Sequence, residues 1–179
     1  DRDELEAFNF PKLYFSDIET EVTDEFPDPK DAKQKITVIG TCTPNRQLIV
    51  LGIKELAEKE QREVQHMIDE HFTKAGIKHK FEFKYIYFKT EYDMLMFYLS
   101  KMVSKMPVLT GWNFIDFDWE YISNRAKKLD INAAKVASPI HQEKYHGPGA
   151  RQPAHVGLYD YMAIYQKWDK TVKRKKNFK

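Results

Sequence analysis

Asp17-Ile18-Glu19 sets two carboxylates two residues apart at the end of a short run rich in aromatics, Leu13-Tyr14-Phe15-Ser16. Side chains at i and i+2 of a β-strand share a face, so both acids can address one site. Oxygen ligands arranged in this way suit a hard divalent cation, although the same pair also suits two solvent-facing acids at a strand end. A second feature is Gly111-Trp112-Asn113-Phe114-Ile115-Asp116-Phe117-Asp118, where a strand ends at Asn113 and a helix starts near Asp118. Asp118 there reads either as an ordinary helix N-cap or as a further oxygen ligand accompanying the strand-borne pair. Asp116 competes with it for the ligand role.

The elements that must position these groups follow from periodicity. Leu13 to Glu19 reads as a buried strand with acids at its carboxyl end, and Phe26-Pro27-Asp28-Pro29 as a loop. Lys35 to Thr41 and Gln47 to Leu51 are β-rich runs parted by Pro44-Asn45-Arg46, the pattern of a hairpin. From about Leu56 to Phe72, Val64, Met67, Ile68, His71 and Phe72 recur at helical spacing and predict an amphipathic helix. Lys84 to Phe88 returns to strand character. Thr90 then caps a helix with Glu91 and Asp93 in its first turn and Leu95, Leu99 and Met102 on its buried face, ended by Pro107. Val108 to Trp112 makes another strand, and Asp118 to Leu129 a helix with Tyr121, Ile122, Arg125 and Leu129 along one side. Ser138 to Pro153 is an irregular excursion, followed by a strand over His155 to Tyr159 and a helix over Tyr161 to Trp168. The order predicts an α/β fold, a mixed sheet with helices packed on it.

The 179 residues, 42% hydrophobic and 14% aromatic, suit one globular unit with a real core. A net charge of +2 marks neither a nucleic-acid-coating protein nor an acidic binder; the asymmetry between acids in residues 1–31 and lysines after Lys167 is the more informative feature. Cys42 is the only cysteine, which rules out an internal disulfide and suits a reducing, cytoplasmic compartment. No apolar run reaches the length of a membrane span. Neither a Walker-type phosphate loop nor a Ser/His/Asp nucleophile pattern is present. His141, His146 and His155 lie near one another but in an irregular stretch that gives no reason for them to converge. Trp112 and Trp119 can stack on bases, but beside a core strand they are expected to be buried.

The chain resembles the exonuclease domain of family B DNA polymerases, especially those of T-even-type bacteriophages. Asp17-Ile18-Glu19 matches the first exonuclease motif, and Asn113 through Phe117-Asp118 matches the second, Asn-x-x-x-Phe-Asp. Phe26-Pro27-Asp28-Pro29, Asp93-Met94-Leu95-Met96 and Asp160-Tyr161 followed by Tyr165 extend the likeness over most of the chain. The resemblance implies an RNase-H-like (DnaQ-like exonuclease) fold and phosphodiester hydrolysis with two divalent cations, Mg2+ or Mn2+. It makes Asp17, Glu19 and Asp118 the catalytic metal ligands and leaves Asp116 a solvated acid. Asn113 would help hold the frayed primer end, and Phe117 would anchor the adjoining loop at the DNA-binding site. The implied partners are the single-stranded 3′ end of primer DNA and, through a longer parent polymerase, a sliding clamp and other replication proteins, with no membrane. For a viral source the compartment is the host cytoplasm.

Residues 1–179 are expected to form a single exonuclease domain cut at both ends from a longer polymerase. The family's third motif, Tyr-x-x-x-Asp, is expected beyond Lys179. Tyr165 to Asp169 fits its spacing only by coincidence, because it directly follows the Asp160-Tyr161 segment. The isolated fragment is therefore expected to be nearly inactive. Two alternatives stand beside this reading: a stand-alone DnaQ-like nuclease, and a catalytically silent module that binds DNA or a replication partner.

Overall fold

In the computed structural model, which describes residues 11–145 and 149–168, the β-rich runs pair into a mixed six-stranded sheet. β1 (Leu13–Thr20) carries Asp17 and Glu19. β2 (Ile36–Cys42) and β3 (Gln47–Gly52) continue from it as an antiparallel meander, turning at Arg46 with φ 62. α1 (Glu58–Lys74) leads to β4 (Glu82–Tyr87), parallel to β3. α2 (Glu91–Phe97) leads to β5 (Val108–Gly111), parallel to β1. After α3 (Glu120–Lys128) and α4 (Ala133–Ala137), the excursion holds a small hairpin of β6 (Glu143–Lys144) and β7 (Gln152–Pro153). β8 (Gly157–Asp160) then joins the far side of β5, and α5 (Tyr161–Trp168) follows. The sheet order is β4-β3-β2-β1-β5-β8, with helices flanking it as the α/β expectation required.

One face of the sheet is the core. Ile18, Ile39, Leu51 and Leu109 are buried there with Met94, Leu95, Leu99, Trp119 and Ile122. The helix over α1 forms as expected but buries less than its periodicity suggests. Val64, Ile68 and Phe72 are half-buried, while Met67 is 67% exposed and His71 is exposed. Phe72 stacks on Phe81 at 4.2 Å, and the Gln65 amide group bonds the Phe81 carbonyl and the Phe83 N–H, so α1 is fastened at the β4 edge of the sheet.

Two helices depart from a simple 3.6-residue reading. Thr90 caps α2 as expected, its hydroxyl accepting from the Asp93 amide at 3.1 Å. Beyond Phe97 the chain widens into a π-turn over Tyr98–Met102 and then tightens into a 3-10 turn over Val103–Lys105. Ser100 and Ser104 each donate to the carbonyl four residues back at 2.6 Å, a bond that loosens a helix from within. The helix expected from Asp118 begins earlier, as a π-turn over Ile115–Trp119. Asp118 is therefore inside the helical segment and is not its N-cap. α4, capped by Asn132, has no counterpart in the sequence expectations.

A buried ion pair ties the helical layer to the β1–β2 connection. Arg125 on α3 grips Glu91 on α2 through two hydrogen bonds of 2.8 Å, and Glu91 also accepts from the Ile36 amide at 2.7 Å. Arg125 donates as well to the carbonyl of Lys33 at 2.9 Å. Removing one partner strands the other charge away from water. Arg125→Ala is expected to destabilise the domain by roughly 3 kcal/mol in urea unfolding. A loss below about 0.5 kcal/mol would mean the pair behaves as an ordinary surface bridge.

Candidate active site

Alternation along β1 sorts its side chains. Ser16 and Ile18 point into the core, 4% and 7% exposed, while Phe15, Asp17 and Glu19 share the opposite, open face. β5 pairs with β1 only over Leu13 to Phe15 and ends at Gly111. The next free β1 donor on that side is the Ile18 amide, and Asp118 Oδ1 accepts from it at 3.1 Å. A side chain has taken the place of a missing strand.

The turn that brings Asp118 there depends on two unusual residues. A Cβ at position 111 would sit 2.4 Å from the Ser16 carbonyl oxygen, so only glycine lets β5 leave β1 this closely. Asn113 then takes φ 55, a left-handed conformation that Asn tolerates better than most residues. Its carbonyl accepts from the Phe117 amide at 3.0 Å and starts the π-turn. Trp119 at the end of that turn is fully buried and its indole N–H donates to the Arg151 carbonyl at 2.9 Å.

Asp118 is left 3% exposed, near enough to Asp17 for the charge of that acid to act on it. Burial is the main reason its pKa is pushed up to about 7; the Asp17 charge adds to this, and the Ile18 amide opposes it. The arrangement costs energy whenever both groups are ionised. A cation between them would relieve it, so the donor set fits a divalent ion. Glu19 shares the face of Asp17. Among the described residues, no three His, Cys, Asp or Glu side chains are gathered into a preformed metal cage.

The other candidates fall as follows. Asn113 is half-buried, and Asp116 is exposed to solvent. Phe117 is half-buried and packs on Tyr121 and Phe26, at ring distances of 6.1 and 6.5 Å. Trp119 is buried as expected. Trp112 is not: 57% exposed, it lies beside Tyr161 and Tyr165 of α5, because it follows the last β5 residue and points to the open side. His155 bonds the Val103 carbonyl and His141 is exposed; His146, Asp169 and the lysines from Lys170 onward lie outside the described residues.

Residues that the sequence reading passed over complete the setting. Ser16 accepts from the Tyr98 hydroxyl at 3.0 Å and donates to the Gly40 carbonyl at 2.8 Å, directly behind Asp17. Nothing in the residues around Tyr98 marks its hydroxyl as special.

Residues 5–150 match the family model for the exonuclease domain of DNA polymerase family B. Two curated relatives are similar to the chain. The DNA-directed DNA polymerase of Enterobacteria phage T4 is 33% identical over 93 residues, 47% of this chain and 10% of that protein. That of Escherichia phage RB69 is 33% identical over 96 residues, 49% of this chain and 11% of that protein. The matched stretch thus spans about a tenth of the length of these relatives.

The raised Asp118 value has a definite sign in stability. Between the ordinary value of 3.8 and about 7 the folded state keeps a proton that the unfolded chain releases. Metal-free stability therefore falls as pH rises through that window and levels off above it. Asp118→Asn retains an acceptor for the Ile18 amide without the charge. In chelator, the variant is expected to exceed the wild type by on the order of 2 kcal/mol at pH 8 and to match it near pH 4. Urea unfolding at the two pH values checks this, and parallel pH profiles for the two proteins would refute it.

Proposed function

The chain belongs to the exonuclease-domain family of family B DNA polymerases, and on that premise we propose that it is the proofreading 3′→5′ exonuclease portion of a DNA-directed DNA polymerase. Its substrate in this reading is the single-stranded 3′ end of primer DNA, and its reaction is hydrolysis of the terminal phosphodiester. The observation that carries the reading is that Asp118, buried and bonded to the Ile18 amide of β1, feels the charge of Asp17 on the same strand.

Asp17, Glu19 and Asp118 would hold two divalent cations, Mg2+ or Mn2+. Such cations, when bound, polarise the scissile phosphate and make water acidic enough to attack it at neutral pH. The protein's part is to hold the acids on adjoining elements, Asp17 and Glu19 on β1 and Asp118 on the π-turn bonded to it. Asp17 and Glu19 stand on the open face of β1, and Asp118 on the π-turn is bonded to the Ile18 amide between them, so the three would hold the ions from neighbouring positions. Asn113, at the start of that turn, would meet the primer end, while Phe117 stiffens the turn that carries Asp118 by packing on Tyr121.

A silent module is disfavoured by the same pair. A domain that only binds DNA gains nothing from a buried Asp118 held against a second carboxylate, and pays in stability at neutral pH. A longer parent chain would bring the domain to a sliding clamp and other replication proteins. No described helix is long and apolar enough to cross a membrane, and the cytoplasm, of the host for a viral protein, is the compartment proposed.

Metal titration tests the reading. Mn2+ at roughly ten times its Kd is expected to add about 1.4 kcal/mol to unfolding stability, and Asp17→Ala is expected to abolish the gain. In the polymerase chain carrying this domain, Asp17→Ala is expected to lower single-strand 3′→5′ digestion by at least about 10³-fold while leaving synthesis intact. Normal digestion by that variant, or no metal-linked stabilisation of the wild type, would overturn the proposal.

A further inference from the structure

The two π-turns have a common target. One, Tyr98–Met102, follows α2; the other, Ile115–Trp119, precedes α3. Each delivers one polar side chain to β1. Tyr98 reaches the Ser16 hydroxyl at 3.0 Å, and Asp118 reaches the Ile18 amide at 3.1 Å. These attachment points are the residues on either side of Asp17. π-Turns re-aim the side chains that follow them and recur at functional sites.

The Tyr98 end of this grip is a closed network. Tyr98 and Ser16 are 0% and 4% exposed, and Thr41 is 3% exposed. Ser16 spends its one proton on the Gly40 carbonyl at 2.8 Å, so its two acceptor sites take the hydroxyls of Tyr98 and, at 3.1 Å, Thr41. Gly40 is the residue registered opposite Asp17 in the β1–β2 ladder. The backbone under Asp17 is therefore clamped to β2 through Ser16, and the clamp is held down from the core by Tyr98.

We infer that Tyr98 is a positioning residue for the candidate carboxylate pair, acting through Ser16 to fix the β1 backbone from which Asp17 projects and to which Asp118 is bonded. The inference rests on the proposal that this pair holds a divalent cation. Tyr98 does not touch the open face and is not a metal ligand. Its contribution is pre-organisation: without it β1 can shift relative to the Asp118 turn, and each cation bound must first restore the alignment.

Tyr98→Phe keeps the ring and removes the hydroxyl. Since Ser16 loses only a donor to one of its acceptor sites, no buried donor is stranded and the variant is expected to fold, as circular dichroism would verify. The Kd for Mn2+, read by electron paramagnetic resonance well below the melting temperature, is expected to rise about tenfold, in the range that partners behind metal ligands contribute. Leu51→Val, a core change on β3, is the control and is expected to leave the Kd unchanged. If Tyr98→Phe binds Mn2+ like the wild type while Asp17→Ala does not bind it, the positioning role is wrong and the metal site stands. If Leu51→Val weakens binding equally, the effect is general loosening and the inference is likewise overturned. If the wild type itself fails to bind, the metal reading falls and the inference with it.

Discussion

The hydrogen bond from the Ile18 amide to Asp118 Oδ1 joins two parts of the chain that have no sequence relation, and most of the site follows from it. It exists because β5 stops at Gly111 while β1 runs on to Thr20, leaving a strand donor that something must satisfy. A backbone partner would have extended the sheet and buried the end of β1. A side-chain carboxylate satisfies the same donor and keeps the face open. The cost is a carboxyl 3% exposed beside Asp17, with a pKa pushed up to about 7. Strand mismatch thus creates an electrostatic strain that a divalent cation is suited to release.

The rest of the fold holds that strained junction in place. Gly111 permits the close departure of β5, Asn113 turns the chain, and Trp119 locks the far end of the π-turn into the core. On the other side, Ser16 couples β1 to β2 and to Tyr98. The Glu91–Arg125 pair closes the helical layer around these contacts and ties it to the segment entering β2. These supports are buried and satisfied, which is why the carboxylates can be kept near one another against their repulsion.

Much of this was legible in the residues. The β-rich runs, the Thr90 cap and the acid pair on β1 follow from period-2 alternation and capping chemistry, and the structure places them where those rules predict. The fold class was equally open to reading, and the family that the chain resembled is the one whose model matches residues 5–150. What escaped was set by tertiary contacts. The start of the helix before Asp118 was misplaced because π-turns break the 3.6-residue period that the eye follows. Trp112 was assigned to the core from its neighbours, yet the end of β5 turns it outward. Tyr98 was invisible as a polar group because a hydroxyl's partner cannot be seen from the strand it will meet.

The central claim is that the end of β1 and the Asp118 turn together form a divalent-cation site. Anomalous diffraction from crystals of the domain soaked in Mn2+ tests it most directly. The account predicts a peak within bonding distance of both the Asp17 and Asp118 carboxylates, at about 2.0–2.2 Å from their oxygens as hard cations of this size require. A peak confined to exposed acids elsewhere, such as those of the β1–β2 connection, or no peak at saturating Mn2+, would contradict it.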